Sequence, residues 1–363
     1  MSRSLRSAAL AAIVLTLAIP APHAHAATIT AQAVATGLAF PAAFTVFPGG
    51  DRLLYGERFT GEVHVYNIAT GTDTHIFTIP GVAGGTGEQG LLGLAFHPNY
   101  PTTARIYAYA TRPNASGGRE NQIVRFTWNG GTGSNLGIIF RSSAAQNHNG
   151  GRILFGPDGH LYATSGDRGD PANSQDLTSK AGKVLRMTQN GGIPADNPIS
   201  GRHWFAYGVR NSFGMAFDPQ GGRLWKTDNG PTCNDEVNRV DKGRNYGWGP
   251  SWTCSTPPQP PVNTNQDGPN VQMPARWFGT SVAPTGIAFC SSCDLGAESE
   301  GDLFWGEFNT GRVRRGQLGP QRAGITGQSI VYDHPGRILA MERARDGTLF
   351  ISDPDGIHRL AFV

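Results

Sequence analysis

A turn followed by a β-rich run recurs six times along this chain, and no other feature restricts its fold as strongly. The copies are FPGGDRLLYGER at 47–58, HPNYPTTARIYAYAT at 97–111, GPDGHLYATSGD at 156–167, DPQGGRLWKTDNG at 218–230, SEGDLFWGEF at 299–308 and ARDGTLFISD at 344–353. Their spacing is uneven but brackets the ~50-residue period of four-stranded propeller blades, so each copy is expected to be the inner hairpin of one blade. Alternation inside the copies agrees: Leu161, Ala163 and Ser165 share one side of a strand, with Tyr162 and Thr164 on the other. A polar loop, Gly166-Asp167-Arg168-Gly169, follows at the strand's end. In a propeller such loops ring a central channel and bring residues distant in sequence to one pocket. The expected fold is all-β, a six-bladed β-propeller. A β-sandwich shares the strands and turns but not the sixfold recurrence. Fifty glycines and twenty-five prolines in 363 residues supply many turns and leave few uninterrupted helical windows.

At the N-terminus, Arg3 and Arg6 precede an apolar run that ends in Ala24-His25-Ala26. This pattern predicts a signal peptide over residues 1–26, and the run is shorter than the ~20 apolar residues of a membrane span. Residues 27–363 are expected to form a single domain, since no Ser/Pro linker or charge run divides them. The formal charge of +3 falls to +1 once Arg3 and Arg6 are removed, with no basic block, which argues against nucleic acid and anionic membranes as partners. Four cysteines in an exported chain are expected to be oxidised. Cys233 and Cys254 would close a loop of roughly twenty residues, worth about 3 kcal/mol in the chain-entropy view. The Cys290-Ser-Ser-Cys293 pair reads as a local staple, because no second such pair or histidine cluster accompanies it in sequence.

The polar loops carry the chemistry. QNHNGGR at 146–152, SGDRGD at 165–170 and AYGVRNSFG at 206–214 lie at the ends of blade-like strands. A histidine accepts a proton near neutral pH, a carboxylate orients it, and an arginine polarises a substrate oxygen, which makes His148, Asp167 and Arg210 the candidate catalytic set. In DNGPTCNDEVNRVDKGRNYGWGP, at 228–250, Gly230 and Pro231 offer main-chain carbonyls, and Asp235, Glu236 and Tyr246 add side-chain oxygens. Such a loop either holds a hard cation such as calcium or joins blades with acids that cap its turns.

HNGGRILFGPDGHLYATSGDRG, AGKVLRMTQNGGIPADNP, YGVRNSFGMAFDP and NGPTCNDEVNRVDKGRNYGWG resemble, in order, the hallmark blocks of the PQQ-dependent sugar dehydrogenases. GEQGLLGLAFHPNY and SVAPTGIAF fall in the family's order too, so the resemblance spans nearly the whole mature chain. It implies a six-bladed propeller that binds PQQ and calcium at the channel mouth and oxidises the anomeric carbon of an aldose to a lactone. An external electron acceptor completes the cycle, and no nicotinamide is needed. His148 would take the C1 hydroxyl proton, Asp167 would orient His148, and Arg210 would stabilise oxyanion charge. The resemblance places Glu88, Asn147, Asn211, Asn229, Ser281 and Arg337 around the cofactor, with Glu88 where glucose-oxidising members carry glutamine. It assigns the main-chain oxygens of Gly230 and Pro231 to the cofactor's calcium and the Glu236 and Tyr246 positions to calcium ligation as well.

Two positions depart from the family. Asn309 stands where a lysine is expected and Leu339 where a second arginine is expected, each removing charge-assisted hydrogen bonds of about 1.5–3 kcal/mol. Arg312, Arg314 and Arg315 are the expected sources of replacement charge. Two alternatives stand beside the dehydrogenase: a calcium-bound propeller that has lost PQQ and binds carbohydrate or surfaces, and a metal-dependent lactone hydrolase. The loop at 228–250 disfavours the hydrolase because it offers chiefly backbone oxygens.

Overall fold

The computed structural model describes residues 28–85, 87–254 and 265–363. The expected signal peptide lies outside the described residues. Twenty-four strands form six four-stranded antiparallel sheets, with only one four-residue α-helix and two 3-10 turns among the described residues. The innermost strands are β2 (Ala43–Val46), β6 (Leu91–Phe96), β10 (Ile153–Phe155), β14 (Met215–Phe217), β18 (Pro284–Phe289) and β22 (Ala340–Arg343). Each touches the next and β22 touches β2, so the ring closes. The fold is a six-bladed β-propeller.

Each sequence copy supplies the turn after the innermost strand and then the second strand of one blade. These second strands are β3 (Arg52–Gly56), β7 (Arg105–Pro113), β11 (Leu161–Ser165), β15 (Leu224–Asp228), β19 (Leu303–Glu307) and β23 (Leu349–Ser352). They are sandwiched between blades, so both faces of β11 are buried. Leu161 and Ala163 pack with Leu92 and Tyr107 toward the preceding blade, whereas Tyr162 packs with Val184 and Met215 toward the following one. At roughly 25 cal/mol per Å², this two-sided burial makes the second strands the main apolar cement between blades.

Closure uses the other end of the chain. The strand β1 (Ile29–Thr36) pairs antiparallel with β24 (Gly356–Phe362), from Ile29 opposite Phe362 to Thr36 opposite Gly356, and completes the sixth blade. Both disulfides form: Cys233–Cys254, with Cα atoms 5.8 Å apart, and Cys290–Cys293, at 5.0 Å. No helix among the described residues is long and apolar enough to cross a membrane.

Candidate active site

Antiparallel pairing sends two loops of every blade to the same face: the one joining consecutive blades and the one after the second strand. Residues 87–90, 144–152, 208–214, 279–283 and 334–339 are of the first kind; residues 166–182, 229–234, 308–311 and 353–355 are of the second. Loops 87–90, 144–152, 208–214, 229–234, 279–283, 308–311 and 334–339 border a cavity of about 480 Å³ at the channel mouth.

His148 lines the cavity with its backbone in the left-handed region, φ +57°, a conformation that costs a branched-free side chain about 1 kcal/mol or more unless its surroundings fix it. They do so from three sides. Its N–H donates to Glu88 Oε2 at 2.6 Å, and its carbonyl accepts from Arg168 N–H at 3.2 Å. Its Nδ1 lies 2.6 Å from Asp167 Oδ1. Gly166 lets the two loops meet, since a Cβ there would sit 2.3 Å from the His148 carbonyl oxygen. The imidazole Nε2 has no protein partner among the described residues.

Asp167 is 1 % exposed, and donors surround its carboxylate. Besides His148, Oδ1 accepts from Gly169 N–H at 2.8 Å and Oδ2 accepts from Trp248 Nε1 at 2.7 Å. A carboxylate fixed by these donors holds the neighbouring imidazole in one orientation. Arg210 donates from Nη1 to the Asn229 carbonyl at 2.7 Å and lies 5.4 Å over the Trp248 ring. Burial draws its pKa below the ordinary arginine value, against Asp167 and Asp228, which raise it. Asp228 fixes this loop by accepting the N–H groups of Arg210 and Asn211 at 3.2 and 2.7 Å, and it also receives the buried Lys226 ammonium at 2.8 Å. Trp248 and Asp228 stand within the quoted sequence blocks, yet no local pattern marks them, because their partners lie on other blades or on the next loop.

Glu88, Asn147, Asn211, Asn229, Ser281, Gly230 and Pro231 all line the cavity with His148 and Arg210. Glu88 Oε2 also accepts from Asn211 Nδ2 at 2.9 Å, so one carboxylate ties three loops together. Arg337 is set back: its guanidinium lies 4.8 Å over Phe308, and it is Phe308 that lines the wall. Asn309 and Leu339 line the cavity as well, and Asn309 Nδ2 donates to the Ser281 carbonyl and hydroxyl oxygens at 3.2 and 3.1 Å.

The arginines expected to replace the lost charge are committed elsewhere. Arg312 pairs with Asp333, Arg314 with the buried Glu307, and Arg315 with Asp302 and Glu298. Two arginines to which the sequence reading gave no role line the cavity instead. Arg58 is held between the Phe40 and Phe59 rings, at 4.9 and 4.8 Å, and donates to the Gln89 and Gly87 carbonyls. Arg152, at the end of the HNGGR block, donates to the Phe213 carbonyl at 3.0 Å. The lining thus carries three arginines against one glutamate, with apolar walls from Phe40, Leu92, Phe213, Phe308 and Leu339.

The loop after Asp228 divides into separate parts. Asp235 caps turns: Oδ1 accepts Gly230 N–H at 2.7 Å, and Oδ2 accepts Val282 and Ala283 N–H at 2.6 and 2.7 Å. Burial pushes its pKa up to about 6 against those bonds. Among the described residues the Gly230 and Pro231 carbonyls accept no hydrogen bond, and the neighbouring Asn229 Oδ1 is buried without a partner. Three neutral oxygens on a cavity wall fit a hard cation that shares its remaining positions with an anionic ligand and water. Glu236 and Tyr246 lie outside the cavity. Glu236 accepts from Asn238 and Asn265 at 3.0 Å each, and burial pushes it up to about 7. The Tyr246 hydroxyl is already used, donating to the Arg239 carbonyl at 2.7 Å and accepting Asp241 N–H at 2.9 Å, so it is not the side-chain cation ligand the sequence suggested.

The sequence pattern of the glucose/sorbosone dehydrogenases matches residues 38–360. The chain is similar to the aldose sugar dehydrogenase YliI of Escherichia coli (strain K12), 28% identical over 338 residues that cover 90% of each protein. It is also similar to quinoprotein glucose dehydrogenase B of Acinetobacter calcoaceticus, 34% identical over 223 residues, 53% of this chain and 46% of that protein. Among solved structures it resembles the PQQ-bound aldose sugar dehydrogenase of Streptomyces coelicolor, with a TM-score of 0.79 and 30% identity over 93% of this chain and 98% of that one. The matched pattern runs through all six blades and every loop that lines the cavity, and this chain belongs to the glucose/sorbosone dehydrogenase family of sugar-oxidising enzymes.

Proposed function

We propose that this protein is an exported quinoprotein that oxidises the C1 hydroxyl of aldose sugars to lactones with PQQ and calcium in the cavity. The observation that carries the reading is the His148–Asp167 pair, 2.6 Å apart, whose imidazole opens on a cavity that three arginines help line. PQQ is a tricarboxylate, and Arg58, Arg152 and Arg210 offer it charge-assisted hydrogen bonds that offset those lost at Asn309 and Leu339. Gly230, Pro231 and Asn229 supply oxygens for the calcium beside it, and Glu88, Asn147, Asn211 and Ser281 supply polar contacts around its rim. The two disulfides support an oxidising compartment, periplasmic or extracellular.

When bound, the quinone supplies the two-electron acceptor for hydride leaving the sugar's C1. The chain's own residues handle the proton and the charge. His148 Nε2 takes the proton from the C1 hydroxyl as the carbonyl forms, and Asp167 holds Nδ1–H and stabilises the imidazolium. Trp248 and Gly169 keep Asp167 from turning away. Arg210, fixed by the Asn229 carbonyl and the Trp248 face, presents positive charge where oxyanion character develops. An external electron acceptor would take up the two electrons that leave the sugar.

The cationic lining favours this enzyme over a propeller that has lost PQQ. The test is calorimetric titration of the protein with PQQ, with and without calcium, followed by an aldose assay with an artificial acceptor. Calcium-dependent binding together with aldose oxidation is expected. Absence of binding at high micromolar PQQ overturns the reading and leaves carbohydrate binding by the bare scaffold.

A further inference from the structure

On the same face as the cavity, but at its outer rim, three side chains from two blades converge. His334 opens the loop that links the fifth and sixth blades, Asp353 follows β23, and His358 lies near the start of β24. The Nε2 atoms of His334 and His358 approach one carboxylate oxygen, Asp353 Oδ2, at 2.7 and 2.9 Å. The two rings are 4.9 Å apart, inclined at 64°, and the three atoms all lie within 4.8 Å of one another. We propose that His334, Asp353 and His358 form a binding site for a borderline divalent transition metal such as zinc, separate from the sugar-oxidising centre.

The donor set decides the metal class. Two imidazole nitrogens and one carboxylate oxygen suit zinc, nickel or copper and do not suit calcium, which takes six to eight oxygens. The carboxylate is already oriented for the task. Its other oxygen, Oδ1, accepts the N–H groups of Asp355 and Gly356 at 2.8 and 2.7 Å, which fixes the group and leaves Oδ2 for the ion. No lysine or arginine pairs with Asp353 among the described residues, so no resident cation already neutralises it. His334 is 3 % exposed at its side chain, whereas Asp353 and His358 are 13 % and 15 % exposed, which leaves an entry side and room for a water as fourth ligand.

Tetrahedral zinc with bonds near 2.0–2.1 Å holds neighbouring ligand atoms about 3.3 Å apart. The present spacings therefore have to widen by roughly half an ångström, within reach of side-chain rotation. Without metal, both Nε2 atoms face the one oxygen, and an ion held among the three atoms would replace those two contacts. The ion would bridge the start of loop 334–339, which carries Arg337 and Leu339 toward the cavity, to the blade closed by β1. It would act as a staple at the propeller's seam.

The test uses the whole protein, stripped of metal with EDTA and desalted, titrated with zinc chloride at pH 7.5. One zinc per chain with a dissociation constant in the micromolar range or tighter is expected. Saturating zinc should raise the melting temperature by about 5 °C. His358→Gln, at the more exposed ligand, should lower affinity at least a hundredfold while the zinc-free melting temperature stays within about 2 °C of wild type. Cobalt substituted for zinc should give visible d–d bands that vanish in His358→Gln. Glu62→Gln, in the half-buried Glu57/Glu62/His64 cluster, should leave the titration unchanged. No stoichiometric zinc binding below 100 μM, or binding that persists unchanged in His358→Gln, would overturn the proposal and leave an imidazole–carboxylate–imidazole hydrogen-bonded triad.

Discussion

The two sides of the cavity are built differently. On the side of the second to fourth blades, His148, Glu88, Asp167, Trp248, Arg210, Asn211 and Asp228 form one continuous hydrogen-bonded web across loops 87–90, 144–152, 166–182 and 208–214. On the side of the fifth and sixth blades, the Asn309 side chain bonds to Ser281 alone among the described residues, Arg337 stacks on Phe308, and Leu339 presents an alkyl face. The first arrangement suits chemistry, because fixed donors and acceptors need no reorganisation as charge develops. The second suits adhesion, where contacts can be exchanged without disturbing the reacting atoms. This explains how two cations expected of the family can be absent here while His148, Asp167 and Arg210, the trio proposed for catalysis, stay in place.

Breaking the web should cost most. His148→Ala should lower kcat for aldose oxidation by 10³–10⁴-fold while PQQ affinity stays within about threefold, measured by steady-state kinetics and calorimetry. Wild-type turnover in that variant would remove His148 from the mechanism. Asp167→Asn is milder: it keeps the shape but sets an amide against the Trp248 and Gly169 donors, and kcat should fall about 10²-fold with KM little changed. On the adhesive side the sign reverses. Leu339→Arg restores a charge beside the cofactor and should tighten PQQ binding about tenfold without raising kcat. Unchanged affinity would mean that Arg58 and Arg152 already meet the cofactor's charge.

The smallest effect concerns stability. Burial pushes Glu342, on the channel-lining strand β22, up to about 7 despite Arg152, which lowers it. A carboxyl with a raised native pKa holds its proton after the unfolded chain has released it. Its contribution to stability is therefore full below the ordinary glutamate value near 4.5 and is lost as pH rises to about 7. Glu342→Gln should match wild type at pH 4.5 and exceed it at pH 8 by on the order of 2–3 kcal/mol, read by denaturant unfolding. Equal stability at both pH values would show that Arg152 neutralises Glu342 fully.

Much of the fold was legible because each blade repeats a local signal: a Gly- or Asp-containing turn and then a strand buried on both faces. The closing strand β1 was not legible, since its partner β24 lies more than three hundred residues away and no local pattern encodes that register. The same division holds for the site. Glu88, Asn147, His148, Arg210, Asn211, Asn229 and Ser281 stood in recognisable blocks and do border one cavity. The Tyr246 phenol oxygen sits in an oxygen-rich loop, but the backbone partners that occupy it are not visible in the sequence around it. The place of Arg58 at the channel mouth is not legible in the sequence because it depends on Phe40 and Phe59 packing around it. Arg312, Arg314 and Arg315 were misjudged for the converse reason: their acidic partners are invisible in the sequence around them.

The central claim is that His148 deprotonates a C1 hydroxyl while hydride leaves the same carbon. Its most direct test is single-turnover reduction of the PQQ- and calcium-loaded protein by glucose and by C1-deuterated glucose, followed by absorbance. The account predicts rapid cofactor reduction, slowed several-fold by deuterium and at least a thousandfold by His148→Ala. A loaded cofactor that no aldose reduces, or reduction at the wild-type rate without the imidazole, would contradict it.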